Sequence, residues 1–138
     1  VSSVIKRLNE LKSQKAPFIM ASCYNAVNNE AAQDPNLVKV IMDVNHNAIY
    51  FSRNPIPLNR SGSATYYGHI GIYGFTKKSL HDFGELDDAP IEDIEKLEQL
   101  RAIYHGKKIS KVKVASTGFG IDTEEDLKRA KQIFLGEE

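Results

Sequence analysis

The sequence predicts an α/β layered fold with a mixed sheet. Two observations carry the prediction. Apolar runs of strand character are interleaved with segments of helical spacing. Two of the strand segments, LVKVIMD (Leu37–Asp43) and AIYFSR (Ala48–Arg53), are separated only by Val44-Asn45-His46-Asn47, a tight turn that makes them a β-hairpin. A hairpin inside an otherwise helix-linked chain means antiparallel pairing alongside any parallel pairing.

The elements follow in order. Ser2 or Ser3 is placed to cap a first helix, in which Val4, Ile5, Leu8 and Leu11 fall at helical spacing. That helix is expected to end near Ser13–Lys15, ahead of Ala16-Pro17. FIMASCY, Phe18–Tyr24, reads as a strand. Ala26–Gln33 suits one or two helical turns and Asp34-Pro35-Asn36 a turn. After the hairpin, Asn54–Tyr66 has the prolines and small polar residues of a loop. Gly68–Phe75, GHIGIYGF, is a strand whose three glycines point to close approach of another backbone or a ligand. Thr76–Phe83 suits a short helix. Asp87-Asp88-Ala89-Pro90 starts the strongest helix, with Ile91, Ile94, Leu97, Leu100, Ile103 and Tyr104 on a wide apolar arc over about four turns and Gly106 as its stop. ISKVKVA, Ile109–Ala115, alternates enough to read as a half-exposed strand. A glycine loop, Thr117–Gly120, leads into a last helix, Thr123–Leu135, with Thr123 and Asp126 close to a capping box.

The chain has 138 residues, enough for one domain with a proper core. Eighteen basic residues balance eighteen acidic ones, so bulk charge offers nothing to a nucleic acid. No apolar run approaches the roughly 18 residues of a membrane span. The single cysteine, Cys23, excludes an internal disulfide framework and a cysteine-rich zinc site; it reads as a small core residue in a reducing, cytoplasmic compartment. Val1–Leu11 lacks the apolar stretch of a secretory signal, and a start at Val1 is what a processed or excised piece would show. Phosphate-binding P-loop, G-x-G-x-x-G, H-E-x-x-H and G-x-S-x-G patterns are missing from these residues.

Several side chains are candidates for chemistry. Asp122 follows Gly118-Phe119-Gly120 and stands one residue outside the last helix; it either assists the helix start or presents a carboxylate to a hard cation such as Mg²⁺. Arg101 falls inside the apolar arc of the long helix and so needs a carboxylate partner. Glu98 and Gln99 lie on the margins of that arc, where they either form a solvated edge or line a cleft. His69 and Tyr73 share one face of the glycine-rich strand, as a core histidine or as the wall of a polar pocket. Arg53 and Arg60 have the fork geometry that holds an anion, or are simply solvated. His46, His81 and His105 have no partner pattern and read as surface residues.

Taken together, NLVKVIMD, AIYFSRNPIP, GHIGIYGF, IEKLEQLRAIYHGKKI and GIDTEEDL resemble, in order and approximate spacing, the 3-deoxy-manno-octulosonate (Kdo) cytidylyltransferases, the CMP-Kdo synthetases. The resemblance implies a three-layer α/β/α nucleotide-diphospho-sugar transferase fold with a mixed sheet. It places residues 1–138 in the C-terminal, sugar-binding and dimerisation part of that domain. The family's CTP-phosphate loop and its G-D-x-P metal segment have no counterpart in these residues. The implied reaction joins CTP and Kdo into CMP-Kdo and pyrophosphate for lipopolysaccharide biosynthesis, with Mg²⁺ as cofactor and a homodimer as the assembly.

Residue by residue, the resemblance makes Asp122 the catalytic metal ligand. It puts Arg53, Arg60, His69, Tyr73, Glu98 and Gln99 around the sugar, the arginines toward the Kdo carboxylate. The sequence departs from the family where an arginine usually precedes the pocket histidine, here Gly68, and in a shortened loop between Arg60 and His69. The expected outcome is little or no catalysis by this stretch alone. The competing readings are a non-catalytic binding or dimerisation module of the same fold and a sialic-acid cytidylyltransferase.

Overall fold

A computed structural model describes residues 1–115. The elements are α1 (Ser2–Gln14), β1 (Met20–Val27), α2 (Asn29–Ala32), β2 (Lys39–Met42), β3 (Ala48–Ser52), β4 (Tyr66–Gly74), α3 (Lys77–Gly84), α4 (Pro90–Glu95), α5 (Leu100–Tyr104) and β5 (Ile109–Lys113). The strands form one five-stranded mixed sheet in the order β3-β2-β4-β1-β5. β1 pairs parallel with β5 and antiparallel with β4, while β2 pairs antiparallel with β3 and β4. The predicted hairpin is the β2–β3 pair. Its turn is built on Asp43, whose Oδ1 accepts from the backbone N–H groups of Asn45 and Asn47, each at 2.9 Å.

The sheet has an apolar cluster on each face, which makes three layers. On one face α1 packs Val4 and Leu8 against Ala21, Cys23, Ile70 and Val114. Gly74 belongs to this contact: a Cβ there would collide with Val4 Cγ1, so the strand must be bare where the helix crosses it. The larger core covers the other face, where Met20, Tyr24, Val40, Phe51 and Ile109 pack with Leu97, Leu100 and Ala102. The hairpin tip curls over this side of the molecule, and His46 O accepts from Lys111 N at 2.8 Å. That contact brings the first and last strands of the order together.

Three local expectations need correction. The first cap position falls on Val1, so neither Ser2 nor Ser3 caps α1. The long helix expected from Pro90 to Tyr104 is two short ones, α4 and α5, broken at Lys96, which takes a left-handed conformation at φ 58°. The break turns Ile94 outward to 79% exposure while Leu97 and Leu100 stay buried. The compensation is tertiary: Glu95, at the end of α4, accepts from the Ser52 hydroxyl at 2.7 Å and from Arg53 N at 3.2 Å. Finally, the half exposure of β5 runs along the strand rather than alternating across it, with its first three residues buried and Lys113 exposed. Ile109, Ser110 and Lys111 are all buried, because the hairpin covers one side of the strand and α1 the other. Arg7 of α1 donates to Ser110 Oγ at 2.9 Å.

Candidate active site

β4 carries the centre of the site. An irregularity opposite Ser22 and Cys23 of β1 shifts its register, so that Cys23 faces Ile70 while Ser22 faces Tyr73. The extra residues let β4 bend and bring two same-face side chains into contact. His69 Nε2 and the Tyr73 hydroxyl lie 2.8 Å apart. Phe51 of β3 stands edge-on to the imidazole, with centroids 4.9 Å apart. Beside the pair, a Cβ added to Gly71 would meet nothing within 4 Å, so there is open space on the strand between them.

A residue that the sequence reading did not single out completes the cluster. Lys111 is fully buried. Its Nζ donates to Cys23 O at 2.8 Å and lies 2.7 Å from His69 Nδ1. The ammonium also sits over the Phe51 ring, 5.3 Å from its centroid. The signal available in the sequence was phase: Lys111 lies two residues after Ile109 and therefore shares its buried face.

Burial dominates the electrostatics. It lowers the Lys111 pKa from 10.5 to about 7. Burial, reinforced by the Lys111 charge, lowers His69 from 6.5 to about 2, so this imidazole is neutral at physiological pH. Burial, with the negative charge of Glu98 second, pushes the Tyr73 hydroxyl up to about 12. Glu98 thus belongs electrostatically to the same cluster, and it is exposed. Its neighbour Gln99 is buried, and among the described residues no hydrogen bond holds its amide. The turn between α4 and α5 therefore carries Glu98 close enough to act on Tyr73.

The two arginines separate. The Arg53 guanidinium donates to the carbonyls of Glu95 at 3.0 Å, Pro35 at 3.1 Å and Lys96 at 3.3 Å. It ties the break between α4 and α5 to the loop before β2. Arg60 lies in the exposed loop after β3, and among the described residues nothing joins its guanidinium to the His69–Tyr73 pair. Arg101 has the partners the sequence required, Glu92 and Asp88. Asp122, the Thr117–Gly120 loop and the Thr123–Leu135 helix lie outside the described residues. Among the described residues no group of three or more His, Cys, Asp or Glu side chains could hold a metal ion. None of the described helices is long and apolar enough to cross a membrane.

Comparison with known proteins agrees with this layout. A family model described as cytidylyltransferase matches residues 1–109. The 3-deoxy-manno-octulosonate cytidylyltransferase of Wolinella succinogenes is 46% identical over 138 residues, covering 97% of this chain and 57% of that protein. The enzyme of the same name from Helicobacter pylori strain P12 is 50% identical over 127 residues, covering 88% of this chain and 52% of that protein. This chain thus spans little more than half the length of these relatives. Among solved structures, a CMP:2-keto-3-deoxy-manno-octonic acid synthetase complexed with CTP matches with a TM-score of 0.78 at 33% identity, over 95% of this chain and 54% of that one. Sheet order, layers and sequence therefore converge, and the chain belongs to the cytidylyltransferase family.

Proposed function

We propose that this chain is the sugar-acid-binding part of a cytidylyltransferase that transfers CMP from CTP to Kdo and releases pyrophosphate. The observation that carries the reading is the His69–Tyr73 pair beside Glu98, in a chain whose relatives bear that enzyme's name. In this reading the Kdo 2-hydroxyl attacks the α-phosphorus of CTP. The new phosphorus–oxygen bond forms as the bond to the pyrophosphate oxygen breaks, and the hydroxyl proton is lost.

The described residues bind and orient. Tyr73 and His69 offer hydrogen bonds to the sugar acid, and a neutral imidazole does so without adding charge. Glu98 and Gln99 hold sugar hydroxyls from the turn between α4 and α5. Arg53 keeps that turn in place through its three carbonyl contacts. Arg60, an exposed guanidinium, is assigned to the sugar carboxylate. Asp122 is assigned to Mg²⁺, which would offset phosphate charge. Such a transfer depends mainly on positioning and charge neutralisation. CTP phosphate contacts are assigned to a part of the enzyme outside this sequence, and the active assembly to a homodimer.

The test is twofold. Calorimetry with Kdo and with a nine-carbon sialic acid is expected to show saturable binding of Kdo alone; binding of the sialic acid instead, or of neither, overturns the substrate. Pyrophosphate release from CTP and Kdo with Mg²⁺ is expected to stay at background for residues 1–138; robust turnover overturns the division of labour.

A further inference from the structure

Lys111 is a buried lysine that the proposed reaction does not use. It faces a set of groups drawn from three strands. β4 contributes His69 and, through it, Tyr73, β1 contributes the Cys23 carbonyl and thiol, and β3 contributes the Phe51 ring. Glu98 is the carboxylate that acts on this cluster, and it acts on Tyr73. Among the described residues no carboxylate stands within ion-pair distance of the Lys111 ammonium.

The hydrogen-bond roles follow from valence. A carbonyl oxygen only accepts, so one N–H of Lys111 points at Cys23 O, 2.8 Å away. An ammonium only donates, so a second N–H points at His69 Nδ1, 2.7 Å away. Nδ1 is then the acceptor nitrogen of a neutral imidazole, and the ring proton sits on Nε2. Nε2–H in turn donates to the Tyr73 oxygen at 2.8 Å. The Tyr73 hydrogen is left over. The residue is 40% exposed, so that hydrogen has an outward direction open to it.

We propose that Lys111 is a positioning residue: by donating to Nδ1 it holds His69 as the Nε2–H tautomer and so makes the Tyr73 hydroxyl an outward hydrogen-bond donor. The donor selects ligands that present an acceptor there, a carboxylate or hydroxyl oxygen. The identity of that ligand as Kdo rests on the function proposed above; the tautomer does not. Without Lys111 the imidazole can turn its proton to Nδ1 and accept from Tyr73, which withdraws the donor from the ligand.

The experiment uses the whole chain, labelled with ¹⁵N-histidine. Two-bond proton–nitrogen spectra of the unmodified protein at pH 6, with His69 assigned by loss of its signals in His69→Gln, are expected to show an unprotonated Nδ1 and a protonated Nε2. A Nδ1–H tautomer or an imidazolium overturns the proposal, whether or not any variant folds. The second arm measures Kdo affinity of Lys111→Met, Tyr73→Phe and the double variant. Each single change is expected to weaken binding about tenfold, the size of a lost hydrogen bond to a charged group. The double variant is expected to bind no worse than the weaker single, because both changes remove one donor. Multiplicative losses overturn a role exercised through Tyr73. If unmodified protein fails to bind Kdo, the function proposed above falls, and the tautomer spectrum still decides the role of Lys111.

Discussion

Arg101 and Lys111 are cations withdrawn from water on two sides of the same core, and their surroundings differ. Arg101 meets Glu92 through Nε at 3.0 Å and through a second guanidinium nitrogen, meets Asp88 at 3.0 Å, and lies over the Phe83 ring. Its hydrogen bond to Glu92 raises its pKa, and the same bond lowers that of Glu92. Lys111 meets a carbonyl and an imidazole, neither of them charged, and burial lowers its pKa to about 7. A bidentate arginine–carboxylate pair with neutralised charge serves the fold. A lysine that keeps an uncompensated charge beside a histidine and tyrosine costs stability. Such perturbed groups concentrate where a protein does chemistry.

The largest expected effect breaks the paired side of this contrast. Glu92→Ala leaves Arg101 with Asp88, whose side chain is 84% exposed, as its remaining partner. The Arg101 and Glu92 side chains keep 16% and 12% of their exposure, so urea unfolding is expected to show a loss of about 2–3 kcal/mol, below the roughly 3–5 kcal/mol of a fully buried pair. A variant as stable as the parent would make the pair decorative.

The next effect has the opposite sign. Lys111→Met replaces an uncompensated buried cation with an apolar side chain of similar length. At pH 6 it is expected to stabilise the chain by about 1–3 kcal/mol. The gain should fade in alkali. The folded pKa of Lys111, about 7, lies below its ordinary 10.5, so between those values the unfolded chain binds the extra proton. Parent stability therefore rises with pH across that window. Unfolding at pH 6 and pH 9.5 measures both ends, and a difference that does not shrink with pH would show that folded Lys111 keeps its proton at both. His69 adds an acid limb: its folded pKa of about 2 lies below its ordinary 6.5, so its contribution is complete above 6.5 and is lost as pH falls toward 2. His69→Gln is expected to flatten that limb.

The smallest effect sharpens the comparison by taking burial away. Lys78 and Asp82 form an ion pair at 3.5 Å with Lys78 89% exposed. Lys78→Ala is expected to change stability by less than about 0.5 kcal/mol. A loss comparable to that of Glu92→Ala would mean that pairing matters here independently of desolvation.

Much of this was legible in the residue order. The β2–β3 hairpin, the helix start at Thr76 and the need of Arg101 for a carboxylate all follow from neighbours a few positions apart. His69 and Tyr73 share a face by strand alternation alone, and their contact at 2.8 Å bears out that placement. Glu98 and Gln99 were legible as marginal residues of an apolar arc. The arc itself was misread, because periodicity counts residues and does not see a break at Lys96 whose cost is offset by Ser52 and Arg53, more than forty positions away.

What the sequence by itself determined is the set of elements and the residue types gathered on each face, because hydrogen-bonding period and apolar phase are local properties. The tertiary structure alone decided that Lys111 is buried, that Arg53 serves the main chain and that β4 bends Tyr73 toward His69. Each depends on which distant strand lies alongside: β5 beside β1, the hairpin over β5, and β1 out of register with β4. Strand order sets which side chains are denied water, and desolvation, rather than any pattern along the chain, turns an ordinary lysine and histidine into a coupled pair.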